Sequence, residues 1–188
     1  QETSGLIFYK DTLWTIVDDT YPILYGINPT NGKRTKTIRM ASSDNNDMES
    51  LTQNDQSIFV GDIGNNRGNR KNLRVYAINK TSIEKQWSRK NITVKTTALP
   101  FHYPYQTSFS NTPYQHNYDS EAMLASNDTL TLINKNWQGK SKTQLYRMTI
   151  QNQPQALEPY AQIQSDMLIT GATQQGSDVW FIGYQLGG

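Results

Sequence analysis

The chain has 188 residues (21.5 kDa), of which 35% are hydrophobic, 18% charged and 11% aromatic, with 18 basic and 16 acidic side chains giving a net charge of +2. That length fits one domain with a substantial core. The polarity sits in Asn, Gln, Ser and Thr, which excludes a long-helix or coiled-coil protein, while the aromatic content and small net charge exclude a disordered chain.

In chain order, short runs rich in Ile, Val, Leu, Tyr and Thr alternate with Gly-, Asn- and Asp-containing breaks, the pattern of antiparallel strands. Strands are predicted at Thr12 to Val17, Ile23 to Ile27, Ser57 to Gly61, Leu73 to Ile78, Thr129 to Ile133, Gln144 to Thr149 and Asp178 to Tyr184. Asn31-Gly32 predicts a hairpin turn with both central residues at positive φ. Only Thr81 to Ser88 carries a helical hint. The fold class is therefore all-β.

The strands repeat. Glu2-Thr3-Ser4-Gly5-Leu6 precedes Thr12-Leu13-Trp14-Thr15, Asp47-Met48-Glu49-Ser50-Leu51 precedes Ser57-Ile58-Phe59-Val60, and Asp119-Ser120-Glu121-Ala122-Met123 precedes Thr129-Leu130-Thr131-Leu132, all with the same spacing. A weaker copy runs from Thr170-Gly171-Ala172 to Asp178-Val179-Trp180-Phe181. Each of the first three is followed by a second shared segment: Leu24-Tyr25-Gly26-Ile27, Val75-Tyr76-Ala77-Ile78 and Leu145-Tyr146-Arg147-Met148. Repeats of roughly 40 to 50 residues are those of β-propeller blades. The expected blades are about 2–46, 47–118 with an insertion at 81–118 read as a long loop, 119–167, and an incomplete 168–188. That is about three and a half four-stranded blades, whereas propellers close with four to eight, so a partial ring with exposed edge strands is expected. Trp14 and Trp180 fall in aligned strands and are expected in the core between blades.

Equivalent blade positions converge at one end of the propeller axis. Asp47, Glu49, Asp119 and Glu121 are therefore candidate metal ligands, with Asp62 and Asn134 at matching places on the next strand. Pooled carboxylates need a cation or shared protons, and an oxygen-only donor set suits Ca²⁺ or Mg²⁺. The other reading is structural, with these acids capping turns and satisfying backbone N–H groups between blades. The stretch Gly61-Asp62-Ile63-Gly64-Asn65-Asn66-Arg67-Gly68-Asn69-Arg70 is neither a dinucleotide fingerprint nor a P-loop. It reads either as an ion site, cationic through Asp62 and Asn65 or anionic through Arg67 and Arg70, or as a tight connection with Arg70 paired to a neighbouring blade's carboxylate. Trp137, after Lys135, lines the channel mouth or packs there.

Other chemistry is poorly supported. The absence of cysteine excludes a disulfide framework, a thiol nucleophile and a Cys-ligated zinc site. His102 and His116 both lie in the insertion, His102 reads as a packing residue, and no Gly-x-Ser-x-Gly elbow is present. The basic run Arg67, Arg70, Lys71 and Arg74 reads as a solvated turn and strand edge, so no nucleic-acid partner is expected. No apolar run reaches the roughly 18 residues of a membrane span. A start at Gln1 reads as a processed N-terminus, with the protein secreted or periplasmic. Sequons at Asn79, Asn91 and Asn127 match what chance gives in so polar a chain.

Together, Glu2-Thr3-Ser4-Gly5-Leu6, Leu24-Tyr25-x-Ile27-x-Pro29, Asn46-Asp47-Met48-Glu49-Ser50-Leu51, Gly61-Asp62-x-Gly64-Asn65-Asn66 through Arg70, and Tyr118-Asp119-x-Glu121-Ala122-Met123 with Asn134-Lys135-x-Trp137 resemble a family of secreted bacterial β-propeller proteins. That family is distantly similar to six-bladed propellers that include lactonase-like and phytase-like enzymes. The resemblance implies a six-bladed ring, export and a polar channel mouth. It places the family's acidic and amide residues on Asp47, Glu49, Asp62, Asn65, Asn66, Asp119 and Glu121, and its basic ones on Arg70 and Lys135. A ligand site at Asp62, Asn65, Asn66, Arg70 and Lys135 is thus expected. Two functions follow. One is an exported binding or scaffold module, for a protein or small-molecule partner, with a cation-binding mouth that takes Ca²⁺. The other is a metal-dependent hydrolase of phosphoesters or lactones.

Overall fold

A computed structural model describes residues 3–18, 21–139 and 142–185. Glu2, the expected start of the first repeat, lies outside them. The chain is all-β, with four successive sheets.

In chain order, the first sheet is built from β1 (Thr3–Tyr9), β2 (Thr12–Val17), β3 (Ile23–Ile27) and β4 (Arg34–Ala41). The second begins with β5 (Met48–Gln53), β6 (Ser57–Asp62) and β7 (Arg74–Asn79). A short helix α1 (Lys80–Glu84), β8 (Asn91–Lys95) and β9 (Thr97–His102) follow. The third sheet holds β10 (Ser120–Ala125), β11 (Thr129–Asn134), β12 (Lys142–Thr149) and β14 (Pro159–Gln164), and β13 (Gln155–Ala156) lies between β12 and β14 in the chain. The fourth consists of β15 (Leu168–Gln175) and β16 (Asp178–Tyr184).

The first strands β1, β5, β10 and β15 pack side by side in that order, so the sheets follow one another around a common axis in a propeller-like arrangement. No closed ring forms among the described residues. The alternation of side chains along each second strand holds the sheets together, because the pleat sends neighbours to opposite faces. Trp14 and Ile16 pack toward the second sheet, where Ile58 and Val60 meet them. Phe59 packs toward the third sheet, where Leu130 and Leu132 meet it. Ile133 packs toward the fourth, against Ile169 and Phe181. Each fully buried side chain of this size contributes about 1.5–3 kcal/mol, so these three cores are the main stabilising term.

Several sequence expectations are corrected. The 81–118 stretch is not one long loop, for it contains α1, β8 and β9. β9 pairs antiparallel with β7 as the outer strand of its own sheet, whereas β8 runs back to pair parallel with β4 of the preceding sheet. β13 does the same one sheet further on, pairing parallel with β9. The signal for β8 and β9 was weak because each is half exposed and interrupted by Lys, Thr or Pro. At Asn31-Gly32 only Gly32 has positive φ (+68°). Asn28 instead organises a longer loop, its Oδ1 accepting the N–H groups of Thr30 (2.8 Å) and Asn31 (3.2 Å). The hairpin with both central residues at positive φ is Lys10-Asp11 (49° and 54°). Trp180 is 48% exposed, not core, because among the described residues β16 pairs only with β15. His102 is exposed, at the end of β9.

Candidate functional site

All four first strands break register with β2, β6, β11 or β16 near their starts: between Ser4 and Leu6, Met48 and Ser50, Ser120 and Ala122, and Ile169 and Gly171. Such bulges re-aim the extra residue. In the second and third sheets that residue is Glu49 and Glu121. The repeat thus brings Asp47, Glu49, Asp119 and Glu121 into one electrostatic neighbourhood at the axial end.

Each acid has a distinct environment. Asp62 ends β6 opposite Met48 and is fully buried. Its Oδ1 accepts from the Asp47 N–H (2.9 Å) and from Arg70 Nη2 (2.9 Å), and its Oδ2 accepts from Asn46 Nδ2 (3.0 Å). Arg70 also donates to the Gly64 carbonyl at 2.6 Å. Arg70 therefore closes the glycine-rich loop onto the carboxylate of its own sheet, not that of a neighbour. Asn65 joins the same closure, accepting the Arg70 N–H at 3.0 Å and donating to the Tyr118 carbonyl at 3.0 Å. Asn66 is half-buried, and its carbonyl accepts the Tyr114 N–H at 3.0 Å.

Asp119 is buried between sheets. Its Oδ1 accepts the Asn65 N–H at 2.6 Å and its Oδ2 accepts Trp137 Nε1 at 2.7 Å. Burial nonetheless holds its pKa above the ordinary carboxylate value, against these hydrogen bonds and the Lys135 charge. Lys135 donates to Glu121 Oε1 at 2.6 Å, and its ammonium lies over the Trp137 ring (4.3 Å) and the Tyr184 ring (5.1 Å). Burial pushes Glu121 up to about 7 despite this partner. Asn134, the counterpart of Asp62, accepts the Gln144 N–H at 2.6 Å and donates to the Asn117 carbonyl at 3.0 Å.

Asp47 and Glu49 remain. Neither forms an ion pair with a lysine or arginine among the described residues. Ser4 Oγ donates to Glu49 Oε2 at 3.5 Å. Burial first, then the charges of Glu121, Asp47 and Asp119, push Glu49 up to about 9, and burial also raises Asp47, which shares a hydrogen bond with Glu49. At neutral pH the pair holds a proton. Both side chains lie over Gly64, where a Cβ would come within 2.5 Å of Asp47 Oδ2 and 2.9 Å of Glu49 Cγ. Among the described residues, no three His, Asp or Glu side chains are grouped so that they could hold one metal ion. Both Asp119 oxygens and Glu121 Oε1 already accept from Asn65, Trp137 and Lys135.

The structure thus gathers the expected residues at one end of the axis but engages Asp62, Asn65, Arg70, Asp119 and Lys135 in internal links. Sequence reasoning missed Trp137 as the partner of Asp119, and Tyr184 as the second ring over Lys135. Nothing local announces either contact, since both join different elements.

No family model and no curated protein sequence matches the chain. Among solved structures it is similar to the computationally designed Ika8 protein (TM-score 0.46, 10% identity, 96% of this chain and 42% of that one) and to the computationally designed Ika4 protein (0.43, 12%, 97% and 92%). It is also similar to BamB from Moraxella catarrhalis (0.38, 9%, 96% and 40%). The chain spans less than half the length of Ika8 and of BamB.

Proposed function

We propose that this protein is an exported, propeller-type binding or scaffold module whose acidic axial end receives a cationic group, Ca²⁺ being the first to test. One observation carries this reading: the Asp47–Glu49 pair is acidic, half-buried and in no lysine or arginine ion pair among the described residues, with the Arg70 charge acting on Asp47 without an ion pair, while Asp62 and Glu121 are paired with Arg70 and Lys135. A buried carboxyl pair held partly protonated releases its proton when a cation arrives, which couples uptake to pH. The partner groups of Asp119 and Glu121 then serve as a fixed frame around the pair. The hydrolase alternative needs a bound metal to activate water, and so it depends on the same uptake.

The test is a thermal melt with Ca²⁺, with Mg²⁺ and with chelator, because a ligand that binds only the folded state raises Tm with concentration. A rise in Tm with Ca²⁺ that disappears in Asp47→Asn/Glu49→Gln supports the reading. A Tm indifferent to all three additions overturns it.

A further inference from the structure

The connection from β9 to β10, residues 103–119, holds no strand or helix, whereas the equivalent connections into β5 and β15 are only 42–47 and 165–167. Structureless loops longer than about 12–15 residues are uncommon in compact domains, and the ordered ones are usually functional. This loop belongs to the second sheet, which is flanked on both sides by described sheets, β1 packing beside β5 and β5 beside β10. It is seated on the glycine-rich loop by hydrogen bonds. Gln106, nearly buried, donates through Nε2 to the Gly68 carbonyl at 2.8 Å. The Thr112 N–H donates to the Arg67 carbonyl at 3.1 Å. At Gly68 a Cβ would come within 2.6 Å of the His116 ring, so the two loops fit without spare room.

Seated this way, the loop turns aromatic rings outward. Tyr105 and Tyr114 are 61% and 55% exposed, and Phe109 is 36% exposed. Tyr114 has a φ of +64°, which a bulky side chain adopts only under constraint. Its N–H donates to the Asn66 carbonyl at 3.0 Å and its ring rests on Trp137 at 4.4 Å, so the exposed face is held in place. Such strain collects at ligand clamps. Neither 63–74 nor 103–118 contains Asp or Glu, and the residues between the rings are Ser, Thr, Asn, Gln, Pro and His. Of the four cations in the first stretch, Arg70 and Arg74 pair with Asp62. Arg67 and Lys71 are exposed and form no ion pair among the described residues. The Lys71 ammonium lies over the Phe109 ring at 4.8 Å, so cations and rings share one surface.

We propose that this surface binds an acidic polysaccharide, one that carries uronic-acid units. A pyranose ring has a face of C–H groups that stacks on a flat aromatic ring, and an edge of hydroxyls that needs uncharged donors and acceptors. Tyr105 and Tyr114 supply the faces, and the amide and hydroxyl side chains around them supply the donors and acceptors. Arg67 and Lys71 take the uronate carboxylates, because charge-assisted hydrogen bonds are the stronger kind and neither cation has an acidic partner of its own. A loop already ordered loses little freedom when the ligand arrives. A polynucleotide would need a run of cations tracking successive phosphates, and two cations do not make one. The Asp47–Glu49 pair repels carboxylates and is a separate site.

The test titrates the whole chain by calorimetry with a panel of uronic-acid oligomers (galacturonate, mannuronate and glucuronate). Chelator is present, so that no divalent cation bridges the ligand to Asp47 and Glu49. Saturable binding with a Kd of about 1 mM or tighter is expected for at least one oligomer, and it should weaken with added salt. The methyl ester of that oligomer, with the same rings and no charge, should bind roughly tenfold more weakly, as should the free acid to Arg67→Gln/Lys71→Gln. Tyr105→Ala should weaken acid and ester alike by roughly tenfold, because it removes a stacking face and no charge. All three side chains are exposed, an unchanged Tm shows that each variant is folded, and the ester comparison needs no variant. No binding of any oligomer at about 10 mM overturns the proposal. So does equal affinity for acid and ester, or for Tyr105→Ala and the parent. Tighter binding of an oligothymidylate of equal charge also overturns it and gives the surface to single-stranded nucleic acid.

Discussion

Asp119 of β10's leading turn and Asn65 of the second sheet's glycine-rich loop are joined by a 2.6 Å hydrogen bond, the Asn65 N–H donating to Asp119 Oδ1. The bond crosses from one sheet to the next at the axial end, and the other Asp119 oxygen holds Trp137. One side chain therefore fixes the Gly61–Arg70 loop and the 135–139 turn together.

Asp119→Ala should lower stability by about 2–4 kcal/mol, since it strands two buried donors that had a charge-bearing acceptor. Asp119→Asn should cost less, because its carbonyl oxygen still serves Asn65 while its amide meets Trp137 donor to donor. Urea denaturation of the three proteins checks the order. Equal stability of Asp119→Ala and the parent would show that the bond does not hold the sheets.

Glu49 predicts an inverted pH profile. Its pKa rises from the ordinary 4.5 to about 9 in the folded protein, through burial and then the charge of Glu121. A raised pKa means that the folded state keeps a proton the unfolded state has released. The stabilisation is therefore complete below about pH 4.5 and is lost progressively as pH rises toward 9. Glu121, raised from 4.5 to about 7, adds to the loss between those values. Together they should remove on the order of a few kcal/mol by pH 9. Tm measured from pH 5 to 9 should fall in the parent and fall much less in Glu49→Gln, whose amide is neutral throughout. A parent Tm that climbs over this range contradicts the assignment.

Gly64 explains one glycine of the distinctive loop. Its φ is not in the left-handed region, so the requirement is space, with the Asp47 carboxyl 2.5 Å from where a Cβ would lie. Gly64→Ala should destabilise by about 1–3 kcal/mol through overpacking. In Asp47→Ala/Gly64→Ala the loss should be smaller than the sum of the two single losses, because removing the carboxyl makes room. Strict additivity in denaturant unfolding would show that the loop yields by another route.

Much of this was legible in the residues themselves. Short runs rich in Ile, Val, Leu, Tyr and Thr marked β2, β3 and β16 with their observed limits, because β-branched and aromatic residues suit a pleated surface. The repeat likewise placed Asp62 and Asn134 at matching positions, each beside its sheet's first strand.

What the tertiary structure alone decided is which groups are partners. Sequence spacing identifies equivalent positions, but it cannot say that Asp119 serves Asn65 of another sheet, that the Lys135 ammonium lies over Trp137 and Tyr184, or that Glu49 forms no ion pair among the described residues. Nor could it show that β8 and β13 reach back to the outer edge of the preceding sheet, since strand pairing follows from where chain segments meet in space. The same limit applies to Trp180: identical in type and register to Trp14, it is exposed because among the described residues β16 pairs on one side only.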